Sequence, residues 1–334
     1  MIRKILQIIK QNQKGYEIGR KILNLKFVQD NFFYKKIYNK KIKKRIEELE
    51  KNPPKEVDIG TTNFCNANCV MCPHNKLKKM GTMKEDLFKK IINDCVKIGV
   101  KSVCLSFFGE PFLDKKIIER IKYAKEKGLK VSFYSNASLM NKEKAKNIIE
   151  SGLDNIVISF EGTDKENYEK IRRNLKFEDT KRNIEDLVEL KKEMNSLKPN
   201  IGLVFVEINQ SDNDIKNYCD YWKSKVQSIQ RINMRNWAGQ IKGSSEKSLH
   251  FNNKNRTPCA NLWEKLTIDW NGDAVLCCDD WSHSVVLGNL KKQNLKEIWE
   301  GKKLKHIREI HKNGEFSKIP LCAKCNKKSV WWLV

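Results

Sequence analysis

An α/β fold built on a parallel sheet is what residues 57 to 235 predict, on two observations. Six short apolar runs of strand length recur there, and stretches with helical apolar spacing separate them. A strand that returns parallel to its predecessor needs a crossover long enough for a helix, and such crossovers are right-handed. Two forms remain open, a flat sheet and one curled into a barrel. In both, ligands gather beyond the carboxyl ends of the strands, so functional residues should directly follow strands.

Residues 1–52 are Lys-rich, with scattered apolar positions such as Ile5, Ile8, Ile9, Ile22, Leu23 and Leu25, and read as helix. A basic amphipathic segment suits contact with an anionic membrane surface, or a lid packed on the main domain; the sequence leaves both open. Pro53-Pro54 ends it. The strand runs are Val57 to Thr62, Ser102 to Phe108, Lys130 to Ser135, Asn155 to Phe160, Ile201 to Ile208 and Ser228 to Arg235. Between them, Leu87, Phe88, Ile91, Ile92, Cys95 and Val96 fall on one helix face, as do Ile117, Ile118, Ile121 and Ala124. Ala145, Ile148 and Ile149 repeat the pattern, then Ile184, Leu187, Val188 and Leu190. Residues 53–238 therefore form the expected main domain, and the polar, aperiodic stretch 239–255 a linker. Residues 256–334 are expected to form a small domain with a hairpin at Asn271-Gly272 and a helix from Leu295 to Lys302. A domain of that size has little core of its own, and a metal staple would remedy this.

Composition removes several classes. With 334 residues, 40% hydrophobic and 9% aromatic, the chain has ample material for a core and is not a disordered one. No run approaches the ~20 apolar residues of a membrane crossing. The formal charge is +25, but 55 of the 66 cationic residues are Lys and only 11 are Arg. Arg is the side chain expected where phosphates are gripped bidentately, so the charge reads as solvated surface and nucleic acid is not the expected partner. Gln7, Lys10, Gln11 and Lys14 interrupt any signal-peptide core, which points to the cytoplasm. Thiols are kept reduced there, so the 11 cysteines are read as metal ligands or buried residues.

The strongest motif is Cys65-Asn66-Ala67-Asn68-Cys69-Val70-Met71-Cys72, directly after the first strand. Three thiolates so spaced can each take one iron of an iron-sulfur cube and leave the fourth iron without a protein ligand. A zinc site completed by His74 fits less well, because zinc usually takes paired ligands with two residues between partners. Ordinary burial is the remaining alternative.

This run, after the first strand of a six-fold strand-helix repeat, resembles the radical S-adenosylmethionine (SAM) superfamily. The resemblance implies a partial (β/α)6 TIM-like barrel with a 4Fe-4S cluster on Cys65, Cys69 and Cys72, and a small C-terminal α+β cluster-binding domain. Phe108-Gly109-Glu110-Pro111 resembles the family's Gly-Gly-Glu-Pro element; the resemblance implies that Gly109, Glu110 and Pro111 hold the methionine ammonium. It further implies that Ser135, Asn136 and Ser159, at later strand ends, contact the ribose and the methionine carboxylate. Of the pair Arg172-Arg173, Arg172 is taken as the carboxylate-gripping arginine.

Four further cysteines are spaced for ligation: Cys259 and Cys277, with Gly272 between them, and Cys322-x-x-Cys325. Four thiolates complete either a cube or a tetrahedral zinc, and chemistry alone does not separate the two. Their surroundings, including Leu262-Trp263, Ile268 to Cys278, Leu287-Gly288-Asn289 and Glu297-Ile298-Trp299, resemble SPASM and twitch domains. That implies one auxiliary 4Fe-4S cluster, and the family's Gly-x4-Cys spacing selects Cys277 over Cys278. Cys95, Cys104 and Cys219 are expected in the core.

The resemblance implies reductive cleavage of SAM to a 5'-deoxyadenosyl radical that abstracts hydrogen, with an electron from a ferredoxin or flavodoxin-type donor. A two-electron oxidation or rearrangement of a carbohydrate-type small molecule is the expected outcome, since residues 1–52 are short for a leader-peptide recognition domain. Arg235, Trp237, Asp279 and Asp280 are expected near the cavity mouth as substrate binders. Maturation of a peptide or protein is the alternative within the family. From other classes, a zinc-stabilised nucleic-acid-binding protein and an electron shuttle without a cofactor pocket remain.

Overall fold

The computed structural model describes residues 32–162, 164–208, 210–241 and 256–325, with side chains from Asn39 onward. Two compact units divide the chain, residues 1–52 with 330–334 and residues 53–329. In the first, helix α1 (Phe32–Leu49) buries Ile42, Ile46 and Leu49, whose spacing puts them on one helix face. The N-terminal apolar positions Ile5 to Leu25, and residues 242–255 of the expected linker, lie outside the described residues. Among the described residues no helix is long and apolar enough to cross a membrane.

The second unit is built on one nine-stranded sheet. Strands β1 (Glu56–Ile59), β2 (Ser102–Cys104), β3 (Lys130–Ser135), β4 (Asn155–Ser159), β5 (Asn200–Glu207) and β6 (Ser228–Asn233) lie side by side in chain order, all parallel. An order without reversal belongs to barrel-type winding, because a doubly wound sheet reverses at a switch point. The crossovers carry helices α2 (Glu85–Ile98), α3 (Ile117–Glu126), α4 (Lys142–Glu150), α5 (Lys165–Ile171), α6 (Phe177–Glu193) and α7 (Asp212–Trp222). Edges β6 and β9 do not pair, so the barrel is partial.

Local chemistry accounts for the helix limits. α2 buries Leu87, Phe88, Ile91, Ile92 and Cys95, and ends at Gly99, whose φ of 88° is the left-handed cap conformation. α4 starts on Asn141, whose side chain accepts the Lys144 N–H, and α7 on a Ser211–Asp214 capping box. Where one helix was expected between β4 and β5, there are two, α5 and α6. Cys219 departs from its expected burial and is half-exposed. The buried face of α7 is Ile215, Tyr218 and Trp222, and one residue beyond Tyr218 turns a side chain about 100° off that face.

The apolar runs outlast the strands at their carboxyl ends. β1 stops at Ile59 instead of Thr62, and β2 at Cys104 instead of Phe108. The remaining residues leave the ladder to build loops that bind one another, as where Glu110 donates its N–H to the Phe64 carbonyl at 2.8 Å.

The C-terminal segment shares this sheet. After α8 (Asn261–Glu264), strand β7 (Lys265–Ile268) pairs parallel with β1, from Glu56 opposite Lys265 to Ile59 opposite Ile268. β8 (Asp273–Val275) pairs antiparallel with β7 through the expected turn, with Gly272 at φ 89°, and β9 (Val286–Asn289) pairs antiparallel with β8. Helices α9 (Leu295–Trp299), α10 (Lys302–Lys312) and α11 (Pro320–Ala323) complete it. Trp263, Ala274, Val275 and Leu295 are all 0% exposed, so this segment has a core, and part of its support is β1.

His283, at φ 54°, lies between two carboxylates of the β7–β8 turn, 3.0 Å from Asp269 and 3.4 Å from Asp273. The hydrogen bond to Asp269 raises its pKa above the ordinary 6.5. A raised value in the folded state means that protonation stabilises the fold below pH 6.5 and that this contribution fades as pH rises through the raised value. Thermal stability should therefore decline from pH 6 to pH 8 in the native protein and decline less in His283→Gln, as scanning calorimetry at matched ionic strength would record.

Candidate functional site

The first cysteine cluster lies on the loop that leaves β1. That loop is closed at its neck by a Thr62–Thr82 bridge and by Asn63, which donates to the Lys79 carbonyl and accepts the Gly81 N–H, both at 2.7 Å. Gly81 is required: a Cβ there would stand 2.3 Å from the Trp270 ring of the β7–β8 turn. On its other side the loop is tied to the end of α5, with Asn68 and Val70 N–H groups donating to the Arg173 and Ile171 carbonyls. Cys65, Cys69 and Cys72 are thereby brought together. Burial, and each other's charge, push Cys65 up to about 12 and Cys72 up to about 11.

The Gly109-Glu110-Pro111 turn lies directly against this loop. A Cβ on Gly109, at φ 144°, would meet the Thr62 carbonyl at 2.3 Å, so glycine permits the contact. Glu110 was expected to face the methionine ammonium. Its buried carboxylate accepts Ser135 Oγ at 2.8 Å and the N–H groups of Asn136 at 2.7 Å and Phe112 at 3.3 Å. Desolvation raises its pKa. Asn136 in turn donates to Asn66 of the cysteine loop at 3.0 Å. Glu110, Ser135 and Asn136 thus join the ends of β2 and β3 to that loop. Behind them, buried Arg120 holds Asp114 at 2.7 Å and covers the Phe88 ring.

Ser159 and Arg172 line a cavity of about 350 Å³, together with Met71, Cys72, Phe108, Arg235 and Trp237. Arg172 is not a free fork. Its Nε lies 2.6 Å from Glu161 Oε2 and one terminal nitrogen 2.5 Å from Oε1, while the other stands 3.4 Å from Cys69 Sγ. Glu161 is fully buried and was missed in the sequence; the available signal was an acidic residue two positions past Ser159 and eleven before Arg172. Also missed were the inward-facing polar residues of the strands. β1 reads Glu56-Val57-Asp58-Ile59, and Val57 and Ile59 are wholly buried on one face. Asp58 therefore faces the cavity, joined by Tyr134, Gln230 and Lys265. Lys265 reaches Glu56, and Asp58 at 3.7 Å, which raises its pKa against the cost of burial. Cys104, expected in the core, is buried and also lines this cavity.

Of the expected substrate binders, Arg235 and Trp237 line the cavity. Trp237 donates to the Met71 carbonyl at 2.7 Å and its ring lies 5.2 Å from that of Phe108. Asp279 is buried and pairs with Arg235 at 3.2 Å. Asp280 does not reach the cavity. It is 0% exposed, and its carboxylate is taken up by Ser284 and the Val285 N–H, so it shapes its own turn.

The second set, Cys259, Cys277, Cys322 and Cys325, converges on a separate small cavity with Asp279 and His311. Cys278, next to Cys277, lines the larger cavity instead. Asn261 lines both, so the two cavities share a wall residue. Burial raises Cys277 and pushes Cys322 up to about 12. Burial makes these thiolates costly, and a cationic metal group that takes several of them at once offsets that cost, so the two sets suit metal ligation. Among the described residues no three or more His, Cys, Asp or Glu side chains are grouped to hold a single metal ion. The residues present fit iron-sulfur clusters.

Comparison with known proteins agrees. The radical SAM superfamily matches residues 59–221, and the SPASM iron-sulfur cluster-binding domain residues 259–326. A probable GTP 3',8-cyclase of Methanococcus maripaludis is 30% identical over 53% of the chain and 59% of its own length. An S-adenosyl-L-methionine-dependent 2-deoxy-scyllo-inosamine dehydrogenase of Niallia circulans is 19% identical over 82% and 93%. The first two curated relatives are matched over only 39% and 59% of their lengths. The fold is shared with SuiB of Streptococcus suis bound to its precursor peptide, at TM-score 0.66, 17% identity and coverage of 96% and 87%. It is also shared with BtrN in complex with AdoMet and 2-DOIA, at TM-score 0.59, 16% identity and coverage of 84% and 95%. The chain belongs to the radical SAM superfamily and carries a C-terminal SPASM domain, so its cofactors are SAM and two 4Fe-4S clusters, one SAM-binding and one auxiliary.

Proposed function

We propose that this protein is a radical SAM oxidoreductase that removes two electrons from a polar, carbohydrate-type small molecule held in the larger cavity. The observation that carries this reading is the position of that cavity, whose walls mix polar side chains such as Asp58, Gln230 and Arg235 with apolar ones, and which shares Asn261 with the cavity of the four-cysteine set, where Asp279, the partner of Arg235, also lies. The similarity to a 2-deoxy-scyllo-inosamine dehydrogenase over most of both chains supports the small-molecule class. The fold shared with peptide-bound SuiB supports a second reading, a peptide or protein maturase.

In this reading Cys65, Cys69 and Cys72 hold the SAM-binding cluster, and Cys259, Cys277, Cys322 and Cys325 the auxiliary one. When bound, these groups supply a hydrogen-abstracting radical and a nearby one-electron acceptor. The chain supplies placement and exclusion of water. Gly109 to Pro111 present backbone to the methionine ammonium, with Glu110 setting the turn through Ser135 and Asn136. Ser159 and Arg172 face the methionine carboxylate, with Arg172 kept charged by buried Glu161. Asp58, Tyr134, Gln230, Lys265 and Arg235 offer donors and acceptors to substrate hydroxyl or amino groups. A reduced ferredoxin or flavodoxin-type protein is the proposed electron donor.

Protein purified without oxygen should carry about eight irons per chain, as two cubes require. With dithionite and SAM, Cys69→Ala should yield no 5'-deoxyadenosine, while Cys322→Ala should retain uncoupled production with about half the iron. Equal loss in both would remove the proposed division of labour. Given a panel of aminocyclitols, polyols and short peptides, chromatography should find a product two electrons oxidised from a polyhydroxylated compound; turnover of peptides alone would favour the maturase.

The Arg172–Glu161 pair gives a separate test. Arg172→Met leaves a buried carboxylate without its cation and should lower unfolding free energy by ~3–5 kcal/mol. Arg172→Met with Glu161→Met should recover most of that loss in urea titrations of the cluster-free protein, and neither variant should bind SAM as the native protein does.

A further inference from the structure

His311 stands near the end of α10 and is 1% exposed. Both of its ring nitrogens face the four-cysteine set. The backbone N–H of Cys259 donates to Nδ1 at 3.3 Å. A nitrogen that accepts carries no proton, so the neutral ring bears its proton on Nε2. Nε2 lies 3.4 Å from Cys322 Sγ, which makes it an N–H donor to that sulfur.

The ring is held in this orientation from a second side. It meets Phe316 edge to face, with centroids 5.0 Å apart at 74°. Arg256 covers the Phe316 ring at 4.5 Å and donates to the Cys322 carbonyl at 2.7 Å. Rotating the imidazole would give up its contacts to Cys259 and Cys322 together. His311 does not line the larger cavity, so it has no direct contact with a molecule bound there.

We propose that His311 is a positioning residue of the auxiliary centre, whose Nε2–H donates to the Cys322 sulfur and raises the reduction potential of the cluster. This rests on the assignment above of that cluster to Cys259, Cys277, Cys322 and Cys325. Reduction adds negative charge that spreads onto the ligating sulfurs, and a donor aimed at one of them stabilises the reduced form more than the oxidised form. A higher potential suits a group whose work is to accept an electron.

Potentiometric titration of the auxiliary cluster's electron paramagnetic resonance signal tests this in the full-length protein with both clusters, against two variants. His311→Phe keeps the ring's bulk and removes the donor; His311→Gln keeps an N–H near the place of Nε2. We expect the potential to fall by about 60 mV or more in the Phe variant, tenfold in the one-electron equilibrium, and to stay near the native value in the Gln variant. Equal potentials in all three proteins, or an equal fall in both variants, would overturn the assignment. The native protein supplies an independent measurement. Pulsed resonance after exchange into D2O should detect a deuteron coupled to the reduced auxiliary cluster that is missing in His311→Phe, and its absence from the native spectrum would overturn the proposal even if the variants fail to assemble. If native protein lacks a second cluster altogether, the loss falls on the auxiliary-cluster assignment and is recognised by about four irons per chain.

Discussion

The parallel pairing of β1 with β7 is the constraint on which the rest of the molecule depends. β1 leads directly into the three-cysteine loop, and β7 leads through the Trp270 turn to Cys277. Four residue pairs in register, Glu56 to Ile59 against Lys265 to Ile268, fix the two cysteine sets relative to each other through backbone hydrogen bonds. The same register delivers Lys265 into the cavity and sets Trp270 over Gly81. Two segments more than 200 residues apart in the chain thus become adjacent strands, and a shift of one residue would turn Lys265 away from Asp58 and Glu56.

Around that frame the electrostatics follow one logic. Buried charges are held in pairs, Arg172 with Glu161, Arg120 with Asp114, and Asp279 with the partly exposed Arg235. Arg120–Asp114 and Arg172–Glu161 fix local loop and helix geometry, and Arg235–Asp279 joins segments distant in sequence. Buried ion pairs add little net stability beside well-packed apolar groups, yet losing one partner is costly. They are therefore better understood as devices that fix geometry. The thiols differ in kind, since their nearest charged neighbours include one another and Glu110, and a metal group supplies the countercharge.

The sequence carried much of this, in signals of local range. Cysteine spacing, the apolar faces of α2, α3 and α4, and the Asn271-Gly272 turn are each written within a few residues, so they could be read directly. The parallel order followed because the alternation of runs allows few connections. What escaped reading depends on contacts made across the chain. Nothing near Lys265 announces that β7 will join β1, and nothing near His311 announces Cys322 or Cys259. Asp280 was expected at the cavity mouth, yet the turn of Ser284 and Val285 encloses it. Glu110 carries a familiar motif, but its bonds to Ser135 and Asn136 belong to the folded loops alone. The carboxyl limits of β1 and β2 depend on where backbone leaves a ladder, which apolar runs mark poorly, and the exposure of Cys219 depends on its angle around α7.

Asn261 forms part of the wall of both cavities. Chamber size and the surroundings of the four thiols are consequently not separable design variables at this position. An engineer who shortened the side chain to admit a bulkier guest would also alter the polarity felt by the neighbouring sulfurs. Selectivity and electron affinity are bound together there by one amide.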